Sequence, residues 1–304
     1  MKVNNVEIED TYAETFSTYI GRILITASTR RWALASAQEA KGLGASATMG
    51  PAEAGIEQEA QVTETPDGRP GYVLQVGHRQ KEELNYWLVA RIRKGVVPVP
   101  TTAAFNAMPR ELTQYYIEID GTPIRYFGDG YEEPVNLYER EVYKIPRMDG
   151  FFYIERKLGV TKGVAGGNFL ILGESPAATL MAAEVAADAI REVDYVFMPC
   201  AGGVAASGTK VGGKTYKDAV ATTNDPYCAC IADRVKDTRI PKGVSCTYEI
   251  FVNGLSLESV KKAMRLGIKA ATTVGGVKLI TACNYGGKLG KTLISLHEVC
   301  RDLE

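Results

Sequence analysis

In the first half of the chain, the pattern of apolar and polar residues alternates between one typical of strands and one typical of helices. Short runs of β-forming residues are followed by stretches with apolar residues three and four positions apart, which is typical of amphipathic helices. Thr29 and Gly42 supply a start and a stop for the first helix. Pro98 places the last strand at an edge, because proline cannot donate a ladder hydrogen bond. The predicted elements are strand 22–28, helix 29–41, strand 72–76, helix 81–94 and strand 96–99.

The second half follows the same order of elements. Ser175 and Pro176 are a cap and a first helical residue, and they mark where the third predicted helix begins. The predicted elements are strand 168–172, helix 176–190, strand 195–198, strand 246–252, helix 257–272 and strand 277–283. The simplest fold for this order in each half is the β-α-β-β-α-β unit.

The fold class predicted from this pattern is α+β, with two ferredoxin-like lobes related by internal duplication and interrupted by long loop insertions. We expect the N-terminal lobe to span residues 1–147 and the C-terminal lobe residues 148–304, because glycine, proline and charged residues cluster near 146–166. Ligand sites favour junctions between lobes, so a cleft at the junction is the expected place for a site.

One strand, residues 246–253, carries a carboxylate among β-forming residues. Because side chains alternate across a strand, Glu249 shares a face with Thr247, Phe251 and Asn253. A buried carboxylate there needs partners or a raised pKa, and a carboxyl that titrates near neutrality can exchange protons at pH 7. The alternative is an outward-facing glutamate on a half-exposed sheet. The strand alone favours this alternative, since structural carboxylates outnumber catalytic ones.

The composition argues against several other classes of protein. The chain has 304 residues, 45% of them hydrophobic, a formal net charge of −1, and no basic excess that would attract nucleic acid or a membrane surface. Its six cysteines lack Cys-x-x-Cys spacing, and only two histidines occur, so no metal site is predicted. The polar, acidic first ten residues are unlike a signal peptide, and we expect a cytoplasmic protein.

A P-loop pattern occurs at residues 208–215, Gly-Thr-Lys-Val-Gly-Gly-Lys-Thr. The motif binds phosphate only where it joins a strand to a helix N-terminus. Residues 216–226 contain Thr222, Thr223, Asn224 and Pro226, which form helices poorly. We therefore do not predict nucleotide binding.

Several short motifs occur in order along nearly the whole chain. They include Pro-Ala-Glu-Ala-Gly-Ile-Glu at 51–57, Thr-Pro-Asp-Gly-Arg-Pro-Gly at 65–71, Phe-Gly-Asp-Gly-Tyr at 127–131, Gly-Val-Ala-Gly-Gly-Asn-Phe at 163–169, Ala-Thr-Thr-Asn at 221–224, Tyr-Glu-Ile at 248–250 and Gly-Gly-Lys-Leu-Gly at 286–290. The stretches 51–56, 127–131 and 163–169 are interpreted as glycine-containing loops. Together the motifs resemble the formylmethanofuran:tetrahydromethanopterin formyltransferase family. Each motif is weak alone, and their shared order makes the resemblance specific.

The resemblance implies an acyltransferase that moves a formyl group between formylmethanofuran and N5 of tetrahydromethanopterin, without a metal or prosthetic group. The catalytic glutamate of the family falls on Glu249. It would act as general acid and base through a tetrahedral intermediate, with backbone donors at 166–168 or the Asn168 side chain facing the oxyanion. The predicted substrate-binding residues are Glu53, Gly55, Asp67, Arg69, Asp129, Gly166, Gly167, Asn168, Lys210, Asn224, Asn284 and Lys288.

The resemblance also implies assembly. Members form homo-oligomers, so we expect a dimer or tetramer, and related chains belong to formyltransferase/hydrolase complexes. This leaves an alternative function: a non-catalytic or regulatory subunit that binds one coenzyme within such a complex.

Overall fold

The computed structural model describes residues 1–44 and 51–303. The helices are α1 (Arg30–Lys41), α2 (Lys81–Gly95), α3 (Pro176–Arg191), α4 (Leu257–Ala271) and α5 (Leu296–Cys300). The strands are β1 (Lys2–Val3), β2 (Val6–Ile8), β3 (Tyr12–Thr26), β4 (Glu53–Ala60), β5 (Gly71–His78), β6 (Ala103–Asn106), β7 (Tyr115–Glu118), β8 (Glu133–Leu137), β9 (Arg140–Arg147), β10 (Gly150–Glu155), β11 (Lys157–Gly173), β12 (Val196–Phe197), β13 (Thr209–Val211), β14 (Ala221–Thr223), β15 (Cys246–Gly254), β16 (Val277–Thr281) and β17 (Thr292–Ser295).

The chain forms two compact units. One contains residues 18–163, and the other contains residues 1–17 together with 164–304. The N-terminal strands β1 and β2 therefore belong to the same unit as the C-terminal half of the chain. The division of the sequence between residues 147 and 148 stays a prediction.

The unit of residues 18–163 contains a ferredoxin-like arrangement. Its strands lie in the order β4-β5-β3-β6, with antiparallel neighbours, and α1 and α2 pack on one face. Ala37 and Ala40 of α1 and Leu84, Leu88 and Ile92 of α2 are buried there against the sheet. Burial of apolar side chains between the helices and the sheet supplies the main stabilising term of this layer.

The unit of residues 1–17 and 164–304 repeats the arrangement. Its strands lie in the order β16-β11-β15-β12, again antiparallel, with α3 and α4 on one face. Apolar residues of β11 and β15, among them Phe169 and Ile250, face these helices. Helix α4 packs closely against α3 and β11 at Gly267. A Cβ atom there would lie 2.8 Å from Ile190 of α3 and 2.9 Å from Phe169 of β11. The predicted α+β fold with two ferredoxin-like units is confirmed.

The opposite face of β11 and β15 is covered by an insertion, residues 198–245, which we call the covering segment. Tyr227 of this segment is buried with Leu170 and Leu172 of β11, and Ile240 and Val244 pack against them. Both faces of this part of the sheet are therefore shielded from water. A polar side chain of β15 on the covered face must find partners there or lose its charge.

Three predictions of local structure were wrong. Residues 96–99 form turns, and the fourth strand of that unit is β6. Of the stretches interpreted as loops, 51–56 runs into strand β4 and 163–169 lies within strand β11. Pairing with β5 and β15 holds these glycine-containing stretches extended, so tertiary hydrogen bonding overrides their weak local preference.

Candidate active site

The carboxyl group of Glu249 lies on the covered face of β15. Its neighbours in the sheet are Leu170, directly opposite on β11, and Ala205 of the covering segment, which exchanges two backbone hydrogen bonds of 2.8 and 3.0 Å with Glu249. The residue is 2% exposed. The alternation predicted from sequence is correct, since Ile250 and Val252 point to the helices. The outward-facing alternative for Glu249 is wrong.

A cavity of about 200 Å³ lies beside this carboxyl group. Its walls come from β15 and from the covering segment, including residues 205–208, Asn224 and Tyr227. Within the part of the chain that the structure describes, Oε2 of Glu249 is buried and has no hydrogen-bond partner. An unsatisfied buried oxygen is costly, so this atom is available to a polar group that enters the cavity.

The pKa of Glu249 is raised to about 8, because burial disfavours the charged carboxylate; a hydrogen bond from Cys283 lowers the pKa but does not offset burial. The group therefore changes charge close to neutral pH. That is the condition for a side chain that must both accept and release a proton during one turnover.

Cys283, Asn224 and Asn168 connect the elements around Glu249. The Asn224 amide Nδ2 donates to Cys283 Sγ over 3.1 Å. Asn168 accepts from the Cys283 backbone N–H at 2.8 Å and donates to the Cys283 carbonyl at 3.2 Å. Burial raises the pKa of the Cys283 thiol well above its ordinary value, and the nearby Glu249 raises it further. Asn168, Asn224 and Glu249, which are far apart in sequence, are therefore all close to Cys283.

The predicted oxyanion donors are engaged in the fold. The Asn168 amide also donates to the Gly166 carbonyl at 3.2 Å, and the Gly166 N–H donates to Asn253 Oδ1 at 3.0 Å. Gly167 lies in the ladder between β11 and β15, opposite Val252. These groups are hydrogen-bonded within the sheet and to the Cys283 backbone. They therefore stabilise the structure around Glu249.

The P-loop pattern contains β13, which pairs with β14 in a hairpin; a 3-10 turn at Asp225–Tyr227 comes after β14, and the next α-helix, α4, begins only at Leu257. The side chains of Lys210 and Lys214 both form ion pairs with Asp225. Asp225 directly follows Asn224, so this cluster of charges anchors the turn that presents Asn224 to the cavity. Lys210 therefore has an intramolecular partner.

A second anchor holds the loop of residues 284–290. The Glu14 carboxylate accepts backbone N–H groups from Tyr285 and Gly287 at 2.6 Å, Leu289 at 2.9 Å and Gly290 at 3.1 Å. Burial by itself would raise the pKa of Glu14, but the four donors outweigh it and lower the pKa.

The loop held by Glu14 carries two predicted binding residues. The Asn284 amide donates to Thr11 Oγ1 at 3.0 Å and to the Tyr12 carbonyl at 3.2 Å. Lys288 is exposed to solvent.

Five predicted residues lie in the unit of residues 18–163. Asp67 pairs with Arg69 at 2.7 Å and accepts from Thr26 Oγ1 at 2.7 Å, so these two residues brace their own loop. Glu53 and Gly55 are buried in β4, and Asp129 is exposed in a turn with a left-handed backbone. Their roles in substrate binding stay predictions.

Sequence reasoning missed Cys283, Glu14 and Tyr227. Cys283 belongs to no motif, and Glu14 sits in a strand like many structural acids. Only their contacts distinguish them, and these contacts join residues more than 50 positions apart. A glycine-rich run such as 286–290 was the one available signal, because closely spaced free backbone donors often need an acceptor.

A larger cavity, of about 890 Å³, lies in the unit of residues 18–163 and is lined by Arg110, Arg140 and Glu155, among others. Across residues 1–44 and 51–303, no group of three or more His, Cys, Asp or Glu side chains is placed to hold a metal ion. None of the helices described is both long and apolar enough to cross a bilayer.

Comparison with known proteins gives relatives over the full chain. A curated formylmethanofuran–tetrahydromethanopterin formyltransferase from Methanosarcina barkeri is 49% identical, with 98% of this chain and 100% of the relative covered. One from Methanocaldococcus jannaschii is 50% identical, with 98% and 99% covered.

Solved structures agree with these relatives. The formyltransferase from Methanosarcina barkeri superposes with a TM-score of 0.94 at 48% identity, covering 98% of this chain and 100% of that one. A chain of the formyltransferase/hydrolase complex from Methylorubrum extorquens, in complex with methylofuran, gives a TM-score of 0.92 at 34% identity, covering 100% and 99%.

Two family profiles divide the chain between them. The profile described as formylmethanofuran-tetrahydromethanopterin formyltransferase matches residues 1–147, and the profile described as the proximal lobe of the same enzyme matches residues 150–299. The chain therefore belongs to the formylmethanofuran–tetrahydromethanopterin formyltransferase family.

Proposed function

We propose that this protein transfers a formyl group between formylmethanofuran and N5 of tetrahydromethanopterin, with Glu249 as general acid and base. One observation carries the proposal: in a chain of this family, the carboxyl group of Glu249 is buried beside a cavity and keeps one oxygen without a partner among the described residues. The two carriers are the only cosubstrates in this proposal, and it involves no prosthetic group.

The chemistry needs two proton movements. The attacking amine loses a proton as the tetrahedral intermediate forms, and the departing amine gains one as the intermediate collapses. A carboxyl with a pKa of about 8 can take the first proton and deliver it to the second nitrogen, since neither charge state is strongly favoured near neutral pH. Exclusion of water by the covering segment strengthens each electrostatic interaction in the cavity.

The developing oxyanion needs a hydrogen-bond donor that is already in place. Asn224 lines the cavity, and its amide has two N–H groups, of which one reaches Cys283 Sγ. We infer that the other N–H faces the formyl oxygen. The ion pairs of the neighbouring Asp225 support this role, because they fix the turn and reduce the reorganisation needed during reaction.

The direct test is an assay with the purified protein and both carriers. Formyltetrahydromethanopterin is expected to accumulate when formylmethanofuran and tetrahydromethanopterin are supplied together, and in no reaction that lacks either carrier. Absence of transfer by folded protein that still binds a carrier would favour the second candidate, a non-catalytic subunit of a complex.

The pH dependence of transfer toward N5 gives a prediction. The base form of Glu249 is required, so kcat/KM is expected to rise about tenfold per pH unit below the pKa and to level off above about pH 8. Initial rates between pH 5.5 and 9.5 measure this rise of kcat/KM with pH. A profile that is flat across this interval would contradict the assignment of Glu249 as base.

The second candidate has one observation in its favour, the structural similarity to a chain of the Methylorubrum extorquens formyltransferase/hydrolase complex. We propose hydrolase-like subunits as partners under that candidate, tested by co-purification from the native source. A homo-oligomer, dimer or tetramer, is proposed for the enzyme itself and is tested by light scattering. A cytoplasmic location also remains a prediction, tested by cell fractionation.

A further inference from the structure

A second buried oxygen without a partner lies on the same strand as Glu249. Oγ1 of Thr247, like Oε2 of Glu249, is buried and makes no hydrogen bond within residues 1–44 and 51–303. The two side chains are therefore not hydrogen-bonded to each other. A buried hydroxyl that makes no hydrogen bond is costly, so its position needs an explanation.

Thr247 and Glu249 face the same cavity. They are two positions apart on β15 and pair with Leu172 and Leu170 of β11, so their side chains lie on one face of the sheet. Both leucines pack with Tyr227 of the covering segment, and both polar residues line the cavity of about 200 Å³. Neighbouring positions on one face of a strand are about 7 Å apart. One bound group can therefore contact both side chains.

Two other hydroxyl groups of the cavity wall are used within the fold. Ser245 Oγ donates to the Glu174 carbonyl at 2.8 Å. Ser207 Oγ is hydrogen-bonded to Thr209 Oγ1 at 3.1 Å. The hydroxyl of Thr247 differs from these two, because it can donate to a group that enters the cavity without breaking a hydrogen bond of the described fold.

The size of the cavity limits what can enter it. Pockets that enclose a drug-sized ligand have volumes of about 300–1,000 Å³, and this cavity has about 200 Å³. It therefore accommodates only the reacting end of a carrier, which consists of the formyl group and the nitrogen that bears it. Glu249 exchanges protons with the nitrogen in the proposed reaction. The formyl oxygen is then the acceptor that remains for a hydroxyl donor.

We propose that Thr247 is a second catalytic residue, whose Oγ1–H donates to the formyl oxygen and, together with the Asn224 amide, stabilises the oxyanion. This rests on the proposed function, because it names a further donor for the same reaction. As the amine attacks, the C=O electron pair moves to the oxygen; when the intermediate collapses, that pair reforms the carbonyl and the bond to the departing nitrogen breaks. The hydroxyl keeps its proton throughout, and Glu249 carries the protons between the nitrogens.

The backbone and side chain of Thr247 suit this role. The residue lies in the ladder between β15 and β11, opposite Leu172. Its β-branched side chain has few χ1 rotamers. The oxygen is therefore held in place before substrate binds, and a donor that needs little reorganisation is the kind that stabilises a developing charge most effectively.

The kinetic test replaces the hydroxyl with a methyl group in Thr247→Val. We expect kcat to fall by about 10- to 100-fold with little change in KM for either carrier, because a hydrogen bond to a charged oxygen is stronger than one to a neutral carbonyl. Thr247→Ser keeps an O–H donor and is expected to retain most of the wild-type kcat. Thr292→Val is the matched control, because Thr292 is exposed on β17 of the same unit, and it should have wild-type rates.

A second measurement needs no turnover. Formylmethanofuran labelled with carbon-13 in its formyl group is bound alone, and its C=O stretching band is followed by isotope-edited infrared difference spectroscopy. A donated hydrogen bond polarises the carbonyl and lowers this frequency. The band is therefore expected at a lower frequency in wild type and Thr247→Ser than in Thr247→Val. This result stays decisive if the transfer assay fails, and failure of that assay bears on the proposed function alone.

Three results would overturn the proposal. They are a C=O band at the same frequency in wild type and Thr247→Val, a raised KM with unchanged kcat in Thr247→Val, and a loss of kcat in Thr247→Ser equal to that in Thr247→Val. The last result would show that the shape of the side chain matters and its hydroxyl does not. If Thr247→Val does not fold, Thr247→Ala, which also lacks the donor, replaces it in both measurements.

Discussion

Replacing Glu249 with glutamine is expected to lower kcat for formyl transfer by about 10²- to 10⁴-fold, the range typical of general acid–base catalysis. The amide keeps the size and shape of the carboxyl group but cannot exchange a proton near neutral pH. Substrate binding is expected to change little, because the substitution removes a group whose role lies in the transition state. Initial rates over a range of both carriers separate kcat from KM.

The control for this variant is Glu184→Gln, on the exposed side of α3 in the same unit, which should retain wild-type rates. Folding is checked by the pH dependence of stability. The folded-state pKa of Glu249 is raised from 4.5 to about 8, so its favourable contribution is complete below about pH 4.5 and is lost as the pH rises through about 8. Glu249→Gln should therefore be at least as stable as wild type at pH 9. Near-normal kcat in the folded variant would end the assignment.

Replacing Glu14 with glutamine is expected to cost about 2–4 kcal/mol of stability, because buried hydrogen bonds to a charged acceptor are among the stronger ones. Its two oxygens each accept two backbone N–H groups of residues 285–290. A glutamine offers one oxygen, and its NH₂ group meets two of the same donors. Urea denaturation measures the loss, and amide hydrogen exchange at residues 285–290 shows whether the loop opens locally.

Glu7→Gln is the matched control for Glu14, because Glu7 is exposed on β2 in the same N-terminal segment. The pKa of Glu14 is lowered in the fold, so its contribution is present above the ordinary pKa of about 4.5 and is lost as the pH falls through the folded value. The difference between Glu14→Gln and wild type should therefore shrink in acid. A loss below about 1 kcal/mol at pH 7 with unchanged exchange would contradict the role of Glu14 as the anchor of this loop.

Hydrophobic period and capping residues predicted the helices α1, α2, α3 and α4, whereas the short helix α5 was not predicted. Helix α1 begins after Thr29, whose side chain accepts from the Trp32 N–H, and it ends at Gly42. Helix α3 begins after Ser175 in the same way. These signals are local, because a cap and an amphipathic face involve residues within a few positions of each other. The strands were harder to locate, since β4 depends on its pairing with β5 and not on its own glycine-containing sequence.

Part of the candidate site was likewise predicted from the sequence. Alternation along β15 placed Glu249 on the face opposite Ile250, and the family motifs directed attention to that glutamate. Neither the alternation nor the motifs show whether this face of β15 is exposed to solvent or buried. Residues 198–245 decide this, because the segment folds back over the sheet and buries Tyr227 against Leu170.

The sequence by itself therefore determined the helices α1 to α4, the ferredoxin-like order in each half and the face of the strand on which Glu249 lies, because caps, hydrophobic period and alternation involve near neighbours in the chain. Only the tertiary structure decided that Glu249 is buried, that its pKa lies near 8, and that Cys283 and Asn224 are its neighbours. The dielectric surroundings and hydrogen-bond partners of a side chain are set by whatever packs against it, and here those groups come from segments that meet only in the folded protein.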